Sequence, residues 1–234
     1  MTDFTDFDAL DDLEFADNQD ARCAIQFVLD CSGSMTMVPE GESTSPLESL
    51  NSALDILVSE IRNDPLSSRR VELSFIPYGS DVGEPTPFAT IDSERFVLPE
   101  LVDMGTTSSG AALMRALDNL EERKAKYKSE GISYYQPQIF WLTDGLSMDP
   151  EVLAEASERI KKLEESRKLA FFPIGVVGAD MDEMSTVGSR TAIKLSGLKF
   201  NELFQWISQS AASVSASQVG DRVALPSPAG WAEI

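Results

Sequence analysis

The stretch Phe27-Val28-Leu29-Asp30-Cys31-Ser32-Gly33-Ser34 decides how this chain is interpreted. A run of apolar residues stops at an aspartate, and two serines follow at alternate positions. The pattern predicts a buried strand that delivers an Asp-x-Ser-x-Ser loop to the edge of a sheet. One carboxylate and two hydroxyls that meet at one point supply the oxygen ligands preferred by hard divalent cations. Such a loop favours a metal-dependent binding module over a catalyst.

The charge of the chain is strongly one-sided. Its 234 residues include 39 acidic and 19 basic side chains, which gives a formal charge of −20 at pH 7. This balance argues against binding to nucleic acid and to an anionic membrane surface, because both require basic contacts. The negative charge either favours partners with basic patches or serves only to keep the protein soluble.

The cysteine and histidine content bears on compartment and chemistry. Histidine is absent, which removes the commonest general base and any His-ligated zinc site. Cys23 and Cys31 lie near the same predicted strand, so we expect free thiols and a reducing compartment. The sequence shows neither a secretory signal nor an apolar run of membrane length. We therefore expect a cytoplasmic protein.

The first 20 residues differ from the rest of the chain. They hold eight acidic residues and no Lys or Arg, with phenylalanine and leucine side chains between the acids. A segment with this charge repels itself and is not expected to fold alone. It is either a plain disordered tail or a linear motif that orders on a partner with a basic surface. We divide the chain into an acidic tail at 1–20, a domain at 21–217 and an extended C-terminal tail at 218–234.

Strand and helix signals alternate through the domain. Strands are predicted at 24–29, 71–78, 138–142 and 169–177, with an antiparallel edge hairpin at 86–96 and turns at 181–184 and 191–195. Helices are predicted to begin at Ser45-Pro46, at Thr107 or Ser108, at Asp149-Pro150 and near 201. Helices between parallel strands form right-handed crossovers. The order predicts an α/β fold: a Rossmann-like three-layer αβα domain whose sheet is mostly parallel, with one antiparallel edge strand.

Three polar segments are expected to meet at one edge of this sheet. The first contains Asp30, Ser32 and Ser34, the second is the glycine-flanked hydroxyl loop 105–110, and the third follows a predicted strand at Asp144. In a parallel sheet, sites form where loops leave the carboxyl ends of the strands. Alone, each segment is also ordinary turn or helix-cap chemistry. Together they supply the ligands of a hard-cation site.

The same segments resemble the metal-ion-dependent adhesion site of von Willebrand factor A domains. The resemblance lies in Asp30-x-Ser32-x-Ser34, Thr107 three residues before Gly110, and Asp144 before Gly145, in the family's order, and it covers about 21–217. Within that family the chain is most similar to the bacterial tellurite-resistance TerY type. This finer similarity lies in the segments 29–34, 105–113 and 203–215.

The resemblance implies a role for each site residue. Ser32 and Ser34 would ligate Mg²⁺ directly, and Thr107 directly or through water. Asp30 and Asp144 would act mostly through water, or one of them directly. An Asp or Glu of a partner protein would then complete the coordination, and Mn²⁺ or Ca²⁺ would suit the same oxygen ligands. TerY-type proteins are associated with kinase-like and phosphatase-like proteins in bacterial stress and conflict systems, which implies a scaffold or regulator and not an enzyme.

Two other hypotheses stay open at this point. A metal-dependent phosphohydrolase or phosphotransferase could use Asp30 as its nucleophile, although Ser32 stands where a second acid would be expected. Alternatively, the acidic tail could itself supply the carboxylate for the metal site, in the same molecule or a neighbouring one. Three methionines that flank the loops, Met35, Met37 and Met148, either form an adaptable apolar rim for a partner or have no role.

Overall fold

The computed structural model describes residues 15–228 and 230–233. The strands are β1 Cys23–Asp30, β2 Val71–Tyr78, β3 Gln138–Thr143, β4 Ala170–Gly175, β5 Ile193–Leu195 and β6 Ala232–Glu233. The helices are α1 Pro46–Asn63, α2 Ser67–Arg70, α3 Ser109–Ser129, α4 Pro150–Glu165, α5 Met181–Met184 and α6 Phe200–Ala216, with a 3-10 turn at Gly33–Thr36.

All six strands of the described residues form one sheet in the order β2-β1-β3-β4-β5-β6. Neighbouring strands are parallel except for the edge pair β5 and β6, which is antiparallel. Helices α1 and α6 pack on one face of the sheet, and α3 and α4 pack on the other. This arrangement confirms the predicted three-layer α/β fold with one antiparallel edge.

The position of β1 between β2 and β3 explains its mostly apolar sequence, which only Gln26 interrupts before Asp30. Every residue of β1 is buried, as expected for a parallel strand that is covered by helices on both faces. Phe27 stacks on Phe75 of β2 and on Phe140 of β3, with ring centroids 5.4 and 5.5 Å apart. The stacked rings of Phe27, Phe75 and Phe140 therefore hold β2, β1 and β3 side by side. This packing aligns the carboxyl ends of the strands, from which the site loops leave.

The start of α1 confirms a prediction made from local chemistry. The Glu48 N–H donates to Ser45 Oγ at 3.2 Å, and the Ser45 N–H donates to Glu48 Oε2 at 2.9 Å. Pro46 occupies the first turn, where its missing N–H is not needed. This reciprocal capping box sets the end of the long loop that follows the first site segment.

The predicted hairpin at 86–96 is wrong. This segment makes only one antiparallel bridge, between Ala89 and Leu73 of β2, and the antiparallel edge of the sheet is formed instead by β6 on β5. Pro87 cannot donate to a strand ladder, and Phe88 and Ile91 are buried. The apolar residues of this segment therefore belong to a loop that packs beside β2 and not to a pair of strands.

Smaller corrections concern the second half of the chain. The segment 191–195, predicted as a turn, contains strand β5, and 181–184 forms the short helix α5. The C-terminal segment returns to the sheet, where Trp231 is buried with its ring centroid 5.3 Å from that of Trp206. The boundaries at 20 and 217 stay predictions.

Other expectations concern cysteines, the N-terminal segment and membrane spans. Cys23 and Cys31 are free thiols, as predicted, and both are buried. The tail prediction falls mostly on residues 1–14, which lie outside the described residues; of the remainder, Phe15 is buried and Asp20 pairs with Arg69 at 2.9 Å. In the described part of the chain, every helix is too short or too polar to span a bilayer.

Candidate metal centre

The site segments meet because β1 and β3 are parallel neighbours. Leu29 of β1 pairs with Leu142 of β3, so Asp30 and Thr143 end the two strands side by side. The next residue, Asp144, opens the third site segment. The register of a parallel pair thus joins two carboxylates that are 114 positions apart in the sequence.

The carboxylate of Asp30 is fully buried and holds the first loop in place. Its Oδ1 accepts the Ser32 N–H at 2.8 Å, and its Oδ2 accepts the Thr143 hydroxyl at 2.5 Å. Both carboxylate oxygens are therefore engaged, one within the loop and one across to β3. The Asp30 side chain fixes the path of the loop that presents Ser32 and Ser34.

The two serine hydroxyls of the first segment link it to the third segment. Ser32 Oγ and Ser34 Oγ are 3.1 Å apart, and the Ser34 hydroxyl donates to Asp144 Oδ1 at 2.8 Å. Four of the five predicted site residues are thus joined in one network with Thr143. The structure brings their oxygen atoms together as the sequence predicted.

The fifth predicted residue, Thr107, is carried by the second segment. Backbone contacts tie that segment to the first loop: the Gly33 N–H donates to the Gly105 carbonyl at 2.7 Å. Toward the third segment, the Met148 N–H donates to the Thr107 carbonyl at 2.8 Å. A Cβ added to Gly145 would lie 3.5 Å from Thr107 Oγ1, so the hydroxyl lies directly against the residue after Asp144.

Asp149 is a positioning residue that the sequence interpretation assigned only to the start of α4. Its two carboxylate oxygens accept the N–H groups of Gly110 and Ala111, at 2.9 and 2.7 Å. The side chain therefore caps the first turn of α3, immediately after Thr107. No local pattern could have revealed this contact, because its partners are 38 and 39 positions away.

Replacing Asp149 by alanine is expected to lower the free energy of unfolding by about 1–2 kcal/mol, because two N–H groups of α3 lose a charged acceptor. We also expect Mg²⁺ affinity to fall about tenfold, since the Thr107 segment loses its support. Denaturant unfolding and Mg²⁺ titration measure the two effects.

The control is Asp64→Ala, which removes a cap on α2, where Asp64 accepts the Ser67 N–H at 2.7 Å. It should cost stability only; equal Mg²⁺ affinities in both variants would contradict this role of Asp149.

Burial dominates the electrostatics of the two carboxylates. It raises the pKa of Asp30, and hydrogen bonds from Thr143 and Ser32 offset only part of that rise. Burial also raises the pKa of Asp144 to about 6; the hydrogen bond from Ser34 opposes the rise, and the negative charge of Asp30 adds to it. Burial therefore disfavours the charged form of both carboxylates, and a bound cation would offset that cost.

The donor set suits a hard cation that retains water. Among the described residues, no three His, Cys, Asp or Glu side chains come together as a metal site, so any site here depends on hydroxyl oxygens as well. Mg²⁺ takes six oxygen ligands, keeps several waters and is usually held by one or two carboxylates. Two buried carboxylates with adjacent serine and threonine hydroxyls fit that chemistry.

Apolar side chains surround this end of the sheet. Of the seven large apolar residues that are exposed in the described chain, five lie on the site segments or beside them: Met37, Val38, Val102, Leu146 and Met148. Met35 belongs to the 3-10 turn and is fully buried, so of the two alternatives left open for the methionines, it takes no part in an exposed rim. The exposed group around the candidate metal centre has the character of a contact surface.

Comparison with known proteins now identifies the family. The model of the von Willebrand factor type A domain matches residues 24–205. The chain belongs to this family. The resemblance drawn from the sequence is thus confirmed for the family, whereas the adhesion-site chemistry and the TerY type stay predictions. Among curated proteins, no sequence matches that of this von Willebrand factor A domain.

Solved structures with a similar fold include three of different origin. A D319A mutant of the PilB minor pilin from Streptococcus sanguinis has a TM-score of 0.60 at 14% identity, covering 82% of this chain and 62% of that one. The pilus adhesin SpaC from Lactobacillus rhamnosus GG has a TM-score of 0.59 at 11% identity, covering 82% and 31%. Proximal thread matrix protein 1 from the mussel byssus has a TM-score of 0.53 at 12% identity, covering 81% and 48%. The chain spans less than two thirds of each, and these identities show a shared fold alone.

Proposed function

We propose that this von Willebrand factor A domain is a Mg²⁺-dependent protein interaction module. The observation that carries the proposal is the meeting of carboxylates and hydroxyls from three segments at one end of the sheet, amid exposed apolar side chains. The ligands would be Asp30, Ser32, Ser34, Thr107 and Asp144. Mn²⁺ or Ca²⁺ would suit the same oxygens.

Each residue contributes a distinct physical role in this proposal. Ser32 and Ser34 supply neutral hydroxyl ligands, and Asp30 orients their loop through its two hydrogen bonds. Asp144, which accepts the Ser34 hydroxyl, would balance part of the charge of the ion. When bound, the ion would keep much of its positive charge, because the serine hydroxyls are neutral ligands. This charge would attract an Asp or Glu carboxylate of the partner.

The surroundings support a protein as the partner. Met37, Leu146 and Met148 are each more than half exposed and lie beside the site. Burying such side chains against a partner removes apolar surface from water, and methionine adapts its shape to the surface it meets. A carboxylate contact at the ion would then fix the orientation, while the apolar rim would add affinity.

Asp30 is poorly suited to be a nucleophile. It is fully buried, and both of its oxygens accept hydrogen bonds within the protein. An aspartate that attacks phosphorus needs an accessible oxygen. These features support a binding role over the phosphohydrolase or phosphotransferase alternative.

The finer part of the proposal rests on the similarity to TerY-type proteins. We place this domain in a cytoplasmic bacterial stress or conflict complex with kinase-like and phosphatase-like partners, in which it acts as scaffold or regulator. Two free buried thiols are compatible with a reducing compartment. The likeness to a minor pilin and a pilus adhesin concerns the fold alone.

Mg²⁺ titration followed by partner capture tests the proposal. Chelator-treated protein is expected to bind one Mg²⁺, and Mg²⁺ at 100 times its dissociation constant should raise the free energy of unfolding by about 2.7 kcal/mol. Immobilised protein should then retain specific proteins from a lysate of its source cells in Mg²⁺ and release them in EDTA. Absence of Mg²⁺ binding, or identical capture in EDTA, would refute the proposal.

A further inference from the structure

A large cleft lies at the end of the sheet opposite the candidate metal centre. Its volume is about 810 Å³, within the range of ligand-binding clefts. The first residues of β3 and β4 form its floor, and the C-terminal parts of α3, α4 and α6 form its walls, together with the segment 217–225. We refer to it as the basal cleft.

The basal cleft gathers positive charge on a chain that is strongly negative. Six of the 19 basic residues line it, against three acidic ones. The basic residues are Lys124, Lys128, Arg167, Lys168, Arg190 and Arg222. Only Lys124 and Arg190 form ion pairs with described residues of the cleft. The other four leave a net positive surface that attracts acidic ligands.

Apolar side chains lie between these charges. Leu163, Val214, Val219 and Leu225 line the same cleft, and Val219 is 47% exposed. A ligand that combined carboxylates with apolar side chains would match both features. Such a ligand would bury apolar surface while its acids met the unpaired lysines and arginines.

The chain carries a segment of this chemistry at its own N-terminus. Residues 1–14 contain six acidic residues, no Lys or Arg, and five large apolar side chains at every third position: Met1, Phe4, Phe7, Leu10 and Leu13. The segment is therefore complementary to the basal cleft in charge and in apolar character. Its own structure lies outside the described residues.

The attachment point of this segment is beside the cleft. Phe15 is buried with its ring centroid 6.0 Å from that of Tyr127, and Tyr127 lies 5.3 Å from the ring of Tyr134, a residue of the cleft wall. Fourteen residues span up to about 50 Å when extended. The segment is therefore long enough to enter the cleft.

We infer that residues 1–14 bind in the basal cleft of their own chain. The metal centre is a less suitable destination for these acids. It lies at the far end of the eight-residue strand β1, about 26 Å away, whereas the basic residues of the cleft lie beside the attachment point at Phe15. Binding in the basal cleft would make this segment an internal competitor of any acidic peptide that uses the same surface.

A synthetic peptide of residues 1–14, labelled with a fluorophore, tests the inference against a chain that lacks residues 2–14. This deletion removes none of the described residues, and it leaves Phe15 in place. The shortened chain should bind the peptide, and added salt should weaken binding because exposed charges are screened. In the full chain, the segment itself competes with the peptide for the cleft, at an effective concentration in the millimolar range. The full chain should therefore bind the peptide at least about tenfold more weakly than the shortened chain does.

Charge reversal at the cleft provides the matched comparison. In the shortened chain, Lys128→Glu with Arg222→Glu should weaken peptide binding at least tenfold. The control pair Lys161→Glu with Lys162→Glu makes the same charge change on α4 outside the cleft and should leave the affinity unchanged. Circular dichroism and thermal unfolding confirm that both pairs are folded.

Several outcomes would overturn the inference. These are absence of peptide binding to the shortened chain, equal affinities of the full and shortened chains, and equal losses from the two variant pairs. Loss of peptide binding in EDTA would assign the segment to the metal centre instead. Sedimentation of the full chain should show a monomer; a dimer that disappears on deletion of 2–14 would place the segment on a second copy and overturn the same-chain assignment.

Discussion

Replacing Ser32 and Ser34 together by alanine is expected to weaken Mg²⁺ binding roughly 100-fold or more. Both hydroxyls lie at the centre of the network that joins the first and third segments, within 3.1 Å of each other. The change removes two of the neutral oxygens that would hold the ion. It leaves the backbone contact from Ser32 to Asp30 in place, so the loop should keep its path.

The same double variant should remain folded without metal. Its free energy of unfolding should fall by about 2–3 kcal/mol, because one of the lost hydrogen bonds, from Ser34 to Asp144, is made to a carboxylate. Calorimetric titration with Mg²⁺ measures the affinity, and denaturant unfolding in EDTA measures the stability. Mg²⁺-dependent capture of partner proteins should disappear together with metal binding.

A matched control for this pair exists on two helices. Ser52→Ala with Ser213→Ala removes two exposed hydroxyls that donate to the carbonyls of Glu48 and Gln209, four residues earlier in each case. This pair should bind Mg²⁺ like the parent protein. If the site variant also bound Mg²⁺ like the parent, the assignment of Ser32 and Ser34 as ligands would be wrong.

The convergence of Asp30 and Asp144 was predictable because it depends on general properties of parallel sheets. Loops that leave the carboxyl ends of neighbouring parallel strands meet whatever the details of packing. The start of α1 was predictable for a related reason, since Ser45, Pro46 and Glu48 interact over only three residues. Both predictions needed only local patterns and the order of the elements.

Contacts between distant segments could not be predicted in this way. Asp149 caps a helix that begins 40 positions earlier, and its immediate sequence indicates only the start of α4. Strand β6 has two residues, and its position is fixed by the packing of Trp231 against Trp206 and by pairing with β5. The wrong hairpin at 86–96 has the same origin, because this segment packs against β2 through Phe88 and a single bridge at Ala89, which the local sequence does not show.

The loss of the Glu72 carboxylate is expected to have the largest effect on stability. Glu72 of β2 is buried, and its two oxygens meet Arg22 Nε at 3.0 Å and Arg123 Nη2 at 2.7 Å; the Tyr127 hydroxyl donates to the same carboxylate. Replacing Glu72 by alanine would leave two buried guanidinium groups without their shared anion. Removing one partner of a buried ion pair costs about 3–5 kcal/mol, because the remaining charge stays desolvated.

This cost should appear as a fall in Tm of roughly 6–20 °C, given a shift of 2–4 °C per kcal/mol for a chain of this size. The comparison variant is Asp92→Ala, which breaks the exposed pair with Arg62, and it should change stability by at most about 1 kcal/mol.

The guanidinium groups of Arg22 and Arg123 also lie over the Phe15 ring, at 5.3 and 5.1 Å from its centroid. Loss of Glu72 should therefore also loosen Phe15, which can be followed as faster proteolysis near the N-terminus. A Glu72→Ala protein as stable as the Asp92→Ala protein would show that the buried guanidinium groups find other partners or water.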